Sequence, residues 1–285
     1  MMTAQDYNLA NAGKLWQPYQ LPPVLLSAWQ RGPREFVTQV EALQRLCGLP
    51  VDGKLGPNTL KRIGGTPVAT ETLPGFDVSG FQPIERFDAM KLRASGMAWA
   101  AVKVSQESFK SNRYAQEHID LFLHVGLAVM PYHFADVSED PCRQADLLCE
   151  RSAQLFRGRP SLPPMIDAEW FKDHNALPDS AFRKWLPAHV KRIRDNTSRN
   201  PVLYTGPNFW AEHVGGALDG LGPVELFVVD YTHPDAPPSL PVGFTRHTFR
   251  QYTGSGRVPW YGAGKYDIDL GTFNGNAAQL AALVR

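Results

Sequence analysis

Residues 163–170 read Pro163-Pro164-Met165-Ile166-Asp167-Ala168-Glu169-Trp170, and a strand is expected over 164–169. Side chains alternate along a strand, so Asp167 and Glu169 point to the same face, with Cα atoms roughly 6.5–7 Å apart. Two acids at the C-terminal end of a strand lie where parallel barrels place their chemistry. Outward from this stretch, strand-like runs alternate with helix-like runs. Strands are expected at 75–81, 99–105, 128–135, 201–206, 225–231, 249–253 and 267–273. Helices are expected at 85–95, 113–126, 141–158, 178–196 and 207–219, which leaves little helix between the last three strands. This alternation predicts an α/β fold with a parallel sheet. Eight strand candidates favour closure into a TIM-like barrel. A dinucleotide-binding sheet is the natural rival, but no G-x-G-x-x-G follows the first strand.

Upstream the pattern differs. Residues 1–30 carry no clear period, and Leu21-Pro22-Pro23-Val24-Leu25-Leu26 reads as an extended arm. Val40, Leu43, Leu46 and Cys47 recur at helical spacing in a segment that begins at Pro33. Asp52-Gly53 is a turn pair, and Gly56-Pro57 starts a second helix with Pro57 at its first position. The Gly-, Pro- and Thr-rich residues 64–74 read as a linker. The expected organisation is a small all-α N-terminal domain over 1–63, the linker 64–74 and a barrel over 75–285.

Composition excludes several classes. The 285 residues carry 29 Lys+Arg against 28 Asp+Glu, a near-balance that argues against nucleic acid or an anionic membrane surface as the main partner. Three cysteines form no disulfide framework. Cys142 and Cys149 lack neighbours at zinc-ligand spacing, and all three thiols are expected to be small buried side chains. No stretch reaches the ~18 apolar residues of a membrane helix. The opening MMTAQDYNLANAGK lacks a basic region followed by an apolar one, so synthesis in a cytoplasm without a signal peptide is expected.

The chemistry concentrates in four acids. Like charges held close in a partly dry site push one carboxyl upward in pKa. The Asp167/Glu169 pair would thereby supply both the neutral acid and the ionised carboxylate that glycoside hydrolysis requires. The motif is short, and a surface pair or a divalent-metal site is its competing reading. Asp77 lies inside the otherwise apolar first strand, where a charge is costly unless paired or functional. Asp267 and Asp269 lie in the last strand, which neighbours the first in a closed barrel. Asp77, Asp167, Glu169 and one of this last pair could then converge on one mouth, with loop or turn acids as the competing reading of the pair. Aromatic residues, among them Tyr132, Tyr204, Tyr231 and Trp260, gather at strand ends, where they would stack on sugar faces beside Gln251 as a hydroxyl partner. His133 is read as a satisfied structural histidine. No H-E-x-x-H, G-x-S-x-G or cysteine-protease signature occurs.

These residues resemble the glycoside hydrolase family 25 lysozymes. The matching blocks are Phe76-Asp77-Val78-Ser79 with Gln82, Ala101–Val104, Pro131–Phe134, Leu162–Glu169, Tyr204-Thr205-Gly206 with Trp210, Arg250-Gln251-Tyr252, and Asp269-Leu270 with Phe273-Asn274-Gly275. The resemblance implies an irregular (βα)5β3 barrel and hydrolysis of the β-1,4 bond from N-acetylmuramic acid to N-acetylglucosamine, with retention and no cofactor. It implies Glu169 as general acid, with Asp167, Asp77 and Asp269 as the other carboxylates. Asp167 would either attack directly or orient the substrate's own acetamido group. Where the family has a Thr-Glu-Gly run, this chain has Ser105-Gln106-Glu107. Residues 33–63 resemble the small peptidoglycan-binding domain, through Val40, Leu43, Gln44, Leu46 and Gly48, then Val51-Asp52-Gly53, Gly56 and Thr59. A third helix for this domain is expected from the N-terminal arm. Together the two resemblances imply a phage endolysin-like monomer that acts on peptidoglycan in the periplasm after release by a holin-type partner. The competing expectation is a non-catalytic wall-binding protein on a degenerate barrel.

Overall fold

The computed structural model describes residues 2–15, 19–20, 25, 28–29, 31–56, 59–60, 66–67, 72–108, 112–170, 180–232, 236–262 and 267–285. It divides into two compact units, Met1–Thr70 and Glu71–Arg285. Among the described residues no helix is long and apolar enough to cross a membrane.

The first unit contains α1 (Ala4–Leu15) and α2 (Pro33–Leu46), which pack together. Pro33 opens α2 at a position where its missing N–H costs nothing. Leu25, Ala28, Phe36, Val40, Leu55 and Leu60 are all fully buried in one cluster. The Asp52-Gly53 turn is held from both helices. Asn8 Nδ2 on α1 donates to Gly53 O at 2.8 Å, and Asn8 Oδ1 accepts from Leu55 N at 2.8 Å. Gln44 Oε1 on α2 accepts from Asp52 N at 3.1 Å and Gly53 N at 3.0 Å. Gly53 adopts φ +67°, which a side chain would strain. Ala4–Leu15 is therefore helical where no period is legible. Leu25, expected in an extended arm, is a buried helical residue. The helix start at Pro57 and most of the 64–74 linker lie outside the described residues. A two-residue antiparallel ladder joins Tyr19–Gln20 to Thr66–Pro67.

The second unit is a closed barrel of eight strands: β1 (Thr72–Val78), β2 (Trp99–Gln106), β3 (Ala128–Phe134), β4 (Met165–Asp167), β5 (Val202–Thr205), β6 (Glu225–Val229), β7 (Phe249–Gly256) and β8 (Ile268–Asn274). Neighbours from β1 to β7 run parallel, and β8 closes the ring antiparallel to both β7 and β1. Helices α3 (Ala89–Ala94), α4 (Ala115–His124), α5 (Pro141–Phe156), α6 (Ser180–Thr197) and α7 (Pro207–His213) follow the first five strands, and α8 (Ala277–Leu283) follows the last. The order is (βα)5β3. Local chemistry sets the helix starts. Asp140 caps α5 by accepting from Arg143 N, with Pro141 next, and Asn276 and Gln279 form a capping box on α8. The expected helix at 85–95 divides into a 3-10 turn (Ile84–Arg86) and α3, and that at 207–219 stops at His213.

Alternation sorts each strand into two layers. On β2, Ala100, Val102 and Val104 join the outer core under the helices, whereas Trp99 and Ala101 join the barrel interior. The interior floor is apolar, made by Trp99, Met130, Met165, Val202, Phe227 and Phe249. Trp99 fixes two glycines: a Cβ on Gly75 would lie 2.2 Å from its ring, and one on Gly271 would lie 2.5 Å from Arg250 O and 3.1 Å from the ring. With the floor filled by hydrocarbon, the polar inward positions are left at the C-terminal mouth of the parallel strands. Cys142 is exposed, and Cys47 and Cys149 are half-buried, contrary to the expectation of three buried thiols. Cys142 lies in the first turn of α5, on the side away from the core.

Candidate active site

The closing strand brings the first two acids together. Asp269 on β8 pairs with Asp77 on β1 in the antiparallel register. Each lies close enough to feel the other, and the Asp269 charge adds to burial in raising Asp77. From β7, Gln251 Nε2 donates to Asp77 Oδ2 at 2.7 Å. Gln251 Oε1 accepts from Tyr204 OH at 2.9 Å and Tyr231 OH at 2.5 Å. Two tyrosine hydroxyls thus orient one amide, which aims its N–H at Asp77. Gln251 is engaged in this network, a more specific task than the hydroxyl contact expected of it.

Asp167 is the last residue of β4, and Glu169 lies two residues beyond, so the pair is split between a strand end and the segment after it. Asp167 is buried, and its Oδ1 meets no hydrogen-bond donor among the described residues. A buried acceptor left in this state costs about 1–3 kcal/mol, a cost that folded proteins keep chiefly where the atom has work to do. Tyr132 on β3 is buried beside the acids, and their charges, after burial itself, push its hydroxyl well above the ordinary tyrosine range.

All four carboxyls are raised. Burial raises Asp77 well above the ordinary range, with the Asp269 charge second. Burial raises Asp167 likewise, with the Glu169 charge second. Burial carries Glu169 to about 7 and Asp269 to about 6. Near neutral pH the group therefore cannot hold four negative charges; it retains protons, and Glu169 is poised between its acid and its base form.

A cation that the sequence reading passed over opposes this trend. Lys103 lies on β2, and its charge lowers both Asp167 and Glu169. Its Nζ donates to Gln106 Oε1 at 2.5 Å and sits 4.3 Å from the Phe134 ring centroid. The signal was present: Lys103 interrupts the apolar run Ala100-Ala101-Val102, as Asp77 interrupts its own strand. Gln106 also donates to Glu107 Oε1 at 3.0 Å, and Glu107 stands at φ +52°, a left-handed conformation uncommon outside glycine.

Other candidates fall elsewhere. Trp260 is 2% exposed and packs on Phe76 (4.6 Å between centroids) and Phe87 (6.1 Å) in the outer core, so it corrects the expectation of a sugar platform. Its neighbour Tyr261 packs on Phe87 too. His133 is buried between Ser105 Oγ (2.8 Å) and Gln144 Oε1 (2.9 Å), facing the helices. Asp267 contributes its backbone carbonyl to Gln82 and lies 3.9 Å from Arg257 Nε. Among the described residues no three His, Cys, Asp or Glu side chains are placed to hold one metal ion.

Known proteins place this arrangement. Residues 76–260 match the Glycosyl hydrolases family 25 profile, and residues 33–63 match a peptidoglycan binding domain. The chain is 29% identical over 245 residues to Lysozyme M1 of Streptomyces globisporus, covering 83% of this chain and 79% of that protein. It is 26% identical over 219 residues to the N,O-diacetylmuramidase of Arthroderma benhamiae, covering 73% and 85%. The muramidase structure from Acremonium alcalophilum superposes with a TM-score of 0.63 at 25% identity, over 74% of this chain and 98% of that one. The bacterial lysozyme structure from Streptomyces coelicolor shares the fold with a TM-score of 0.64 at 24% identity, over 75% and 97%. With the match to its profile running through Asp77, Asp167, Glu169 and Gln251, the chain belongs to glycosyl hydrolases family 25.

Proposed function

We propose that this protein is a peptidoglycan glycosidase, an endo-β-1,4-N-acetylmuramidase that hydrolyses the bond from N-acetylmuramic acid to N-acetylglucosamine. The observation that carries the reading is Glu169, a carboxyl raised to about 7 by burial beside Asp167 at the mouth of the barrel. A group with that pKa holds a proton at working pH and can still release it to a leaving glycosidic oxygen. Asp167, with its unpartnered Oδ1, supplies the negative charge that the oxocarbenium-like transition state needs at the anomeric carbon. Lys103 keeps that carboxylate ionisable. The Asp77–Asp269 pair, fixed by Gln251, Tyr204 and Tyr231, forms the opposite wall and binds the sugar hydroxyls. Glu169, left as a carboxylate, then takes a proton from the water that adds to the anomeric carbon on the face the leaving group vacated, which restores the acid and gives net retention.

The pairing with a peptidoglycan binding domain supports action on the cell wall. We read the whole chain, on the same pairing, as a lytic enzyme of the endolysin type that acts as a monomer and reaches the wall with the help of a holin-type partner.

The test is end-group analysis. Purified peptidoglycan is digested, the products are reduced with borohydride, and the reduced sugar is identified by mass spectrometry. Reduced N-acetylmuramic acid is the expected product, and proton NMR of the first-formed product should show the β anomer. Reduced N-acetylglucosamine would overturn the bond assignment, and the α anomer would overturn retention.

A further inference from the structure

The ladder between β1 and β8 pairs Asn274 with Thr72 and continues, residue by residue, to Asp269 with Asp77. Pro74 O bonds Ala98 N on the β2 side, so the odd-numbered backbone groups of β1 face β8. The next groups due to bond across the ladder are therefore Ser79 N and Asp267 O. An amide stands between them. Ser79 N donates to Gln82 Oε1 (2.9 Å), and Gln82 Nε2 donates to Asp267 O (3.1 Å). Two hydrogen bonds and the width of an amide span a gap that one ladder bond would otherwise close. On its other side β8 changes register against β7 between Ile268 and Leu270, at Asp269 itself. Irregularities of that kind bend a strand and re-aim a side chain. Asp269 thus sits between a register shift and an inserted amide.

The amide is held from three sides. Gln82 is 5% exposed. Its backbone N–H closes the turn on Ser79 O (3.4 Å), and Ser79 Oγ donates to the same Oε1 (3.3 Å). Its carbonyl accepts from His118 Nε2 on α4 (2.8 Å). Burial lowers His118 to about 4, so the ring is neutral, and because a carbonyl only accepts, Nε2 carries the proton. His118 is itself fully buried and lies parallel to the Phe122 ring at 5.6 Å. Gln82 is thus tied to its own turn, to the closing strand and to a helix. Replacing a buried polar group and its partners by hydrocarbon of the same shape can be nearly neutral for a fold, so stability alone gives no reason for an amide at this point. What the amide adds is spacing between two strands that each carry an acid.

We propose that Gln82 is a positioning residue: its side-chain amide parts β1 from β8 just beyond Asp77 and Asp269 and so sets the spacing of the two carboxyls. This rests on the reading of that pair as one wall of the glycosidase site. Gln82 acts through backbone groups two residues from each acid, Ser79 beyond Asp77 and Asp267 before Asp269. Without the amide, Ser79 N and Asp267 O bond each other, the ladder zips one step further, and the carboxyls are drawn together. Two acids brought closer titrate further apart, because the first proton leaves more readily and the second less.

The test uses the full chain. Aspartate carrying 13C at its side-chain carboxyl is incorporated, the two signals are assigned with D77N and D269N, and both are followed against pH by NMR. In Q82L, which keeps bulk but loses the amide, the separation of the two titration steps should widen by about half a unit or more. Its kcat on solubilised glycan strands should fall about tenfold or more, since small displacements near reacting groups carry costs of that order. Q82E supplies a second arm that does not depend on Q82L folding. As a neutral acid its side chain accepts from Ser79 N and donates to Asp267 O as the amide does; once ionised it donates to nothing. The rate of Q82E relative to wild type should therefore be near one in acid and fall about tenfold or more as pH rises. An unmoved or narrowed separation of the steps in folded Q82L, or a Q82E-to-wild-type ratio that does not change with pH, would overturn the proposal. Should the wild type release no reducing ends, the glycosidase reading fails, and the carboxyl titrations still decide whether Gln82 sets the spacing of the pair.

Discussion

Glu169 should cost the folded protein stability at the pH where it works. Raising this carboxyl from an ordinary 4.5 to about 7 means that ionising it in place costs roughly 3 kcal/mol, at 1.36 kcal/mol per tenfold. The pH window follows from that direction. Below pH 4.5 folded and unfolded chains both hold the proton, and the native state is at its most stable with respect to this group. As pH rises the unfolded chain releases first, so stability falls, and the loss is complete once pH passes about 7. Glu169→Gln removes the titration while keeping the shape of the protonated acid. At pH 8 the variant should therefore melt higher than wild type by about 6–12 °C, taking roughly 2–4 °C per kcal/mol for a unit of this size. At pH 4 the two should melt together. The assay is calorimetry of the full chain at both pH values, following the transition of the barrel unit. A melting difference that is the same at pH 4 and pH 8, or a variant that melts lower at pH 8, would refute the idea that a destabilised, buried acid is stored at this site.

Other substitutions test other parts of the arrangement. Lys103→Met removes the charge that lowers Asp167 and Glu169, so the alkaline limb of kcat/KM, expected near 7 in the wild type, should move upward by half a unit or more; a limb that stays in place or moves down would contradict this. Gln251→Leu deprives Asp77 of its donor and strands two tyrosine hydroxyls, so kcat should fall tenfold or more, on the scale of about 1–3 kcal/mol for a broken buried network, with circular dichroism unchanged. Gly75→Ala places a Cβ 2.2 Å from the Trp99 ring, so the barrel should lose about 1–3 kcal/mol or more in denaturant titration, whereas Gly216→Ala, which meets nothing within 4 Å, should lose far less.

The barrel was legible because its strands alternate with amphipathic helices and because closure makes the first and last strands neighbours. That rule places the Asp267/Asp269 strand beside Asp77, and the family resemblance selects Asp269 from the pair. The exact strand ends were less legible. Glu169 sits past the end of β4, and β1 begins at Thr72, inside what reads as linker, since pairing with Asn274 on the closing strand extends it backwards. Trp260 was misplaced for a physical reason. An aromatic side chain near a strand end serves a core and a sugar site equally well, and only packing on Phe76 and Phe87 decides. The helix Ala4–Leu15 is hard to read because half of its apolar residues are alanines, they follow no clear helical period, and it holds the Gly53 turn through an asparagine. Lys103 escaped because a lysine on a strand is usually read as a solvated edge, although its inward position follows from the same alternation that placed Trp99 and Ala101 inside.

The central claim is that Glu169 gives its proton to a glycosidic oxygen of peptidoglycan. The most direct measurement is the rate at which wild type and Glu169→Gln release new reducing ends from purified peptidoglycan at pH 6. Wild-type release with a loss of about 10²–10⁴-fold in the variant, both proteins folded, is the predicted result. Equal rates from the two proteins, or no release by the wild type, would contradict it.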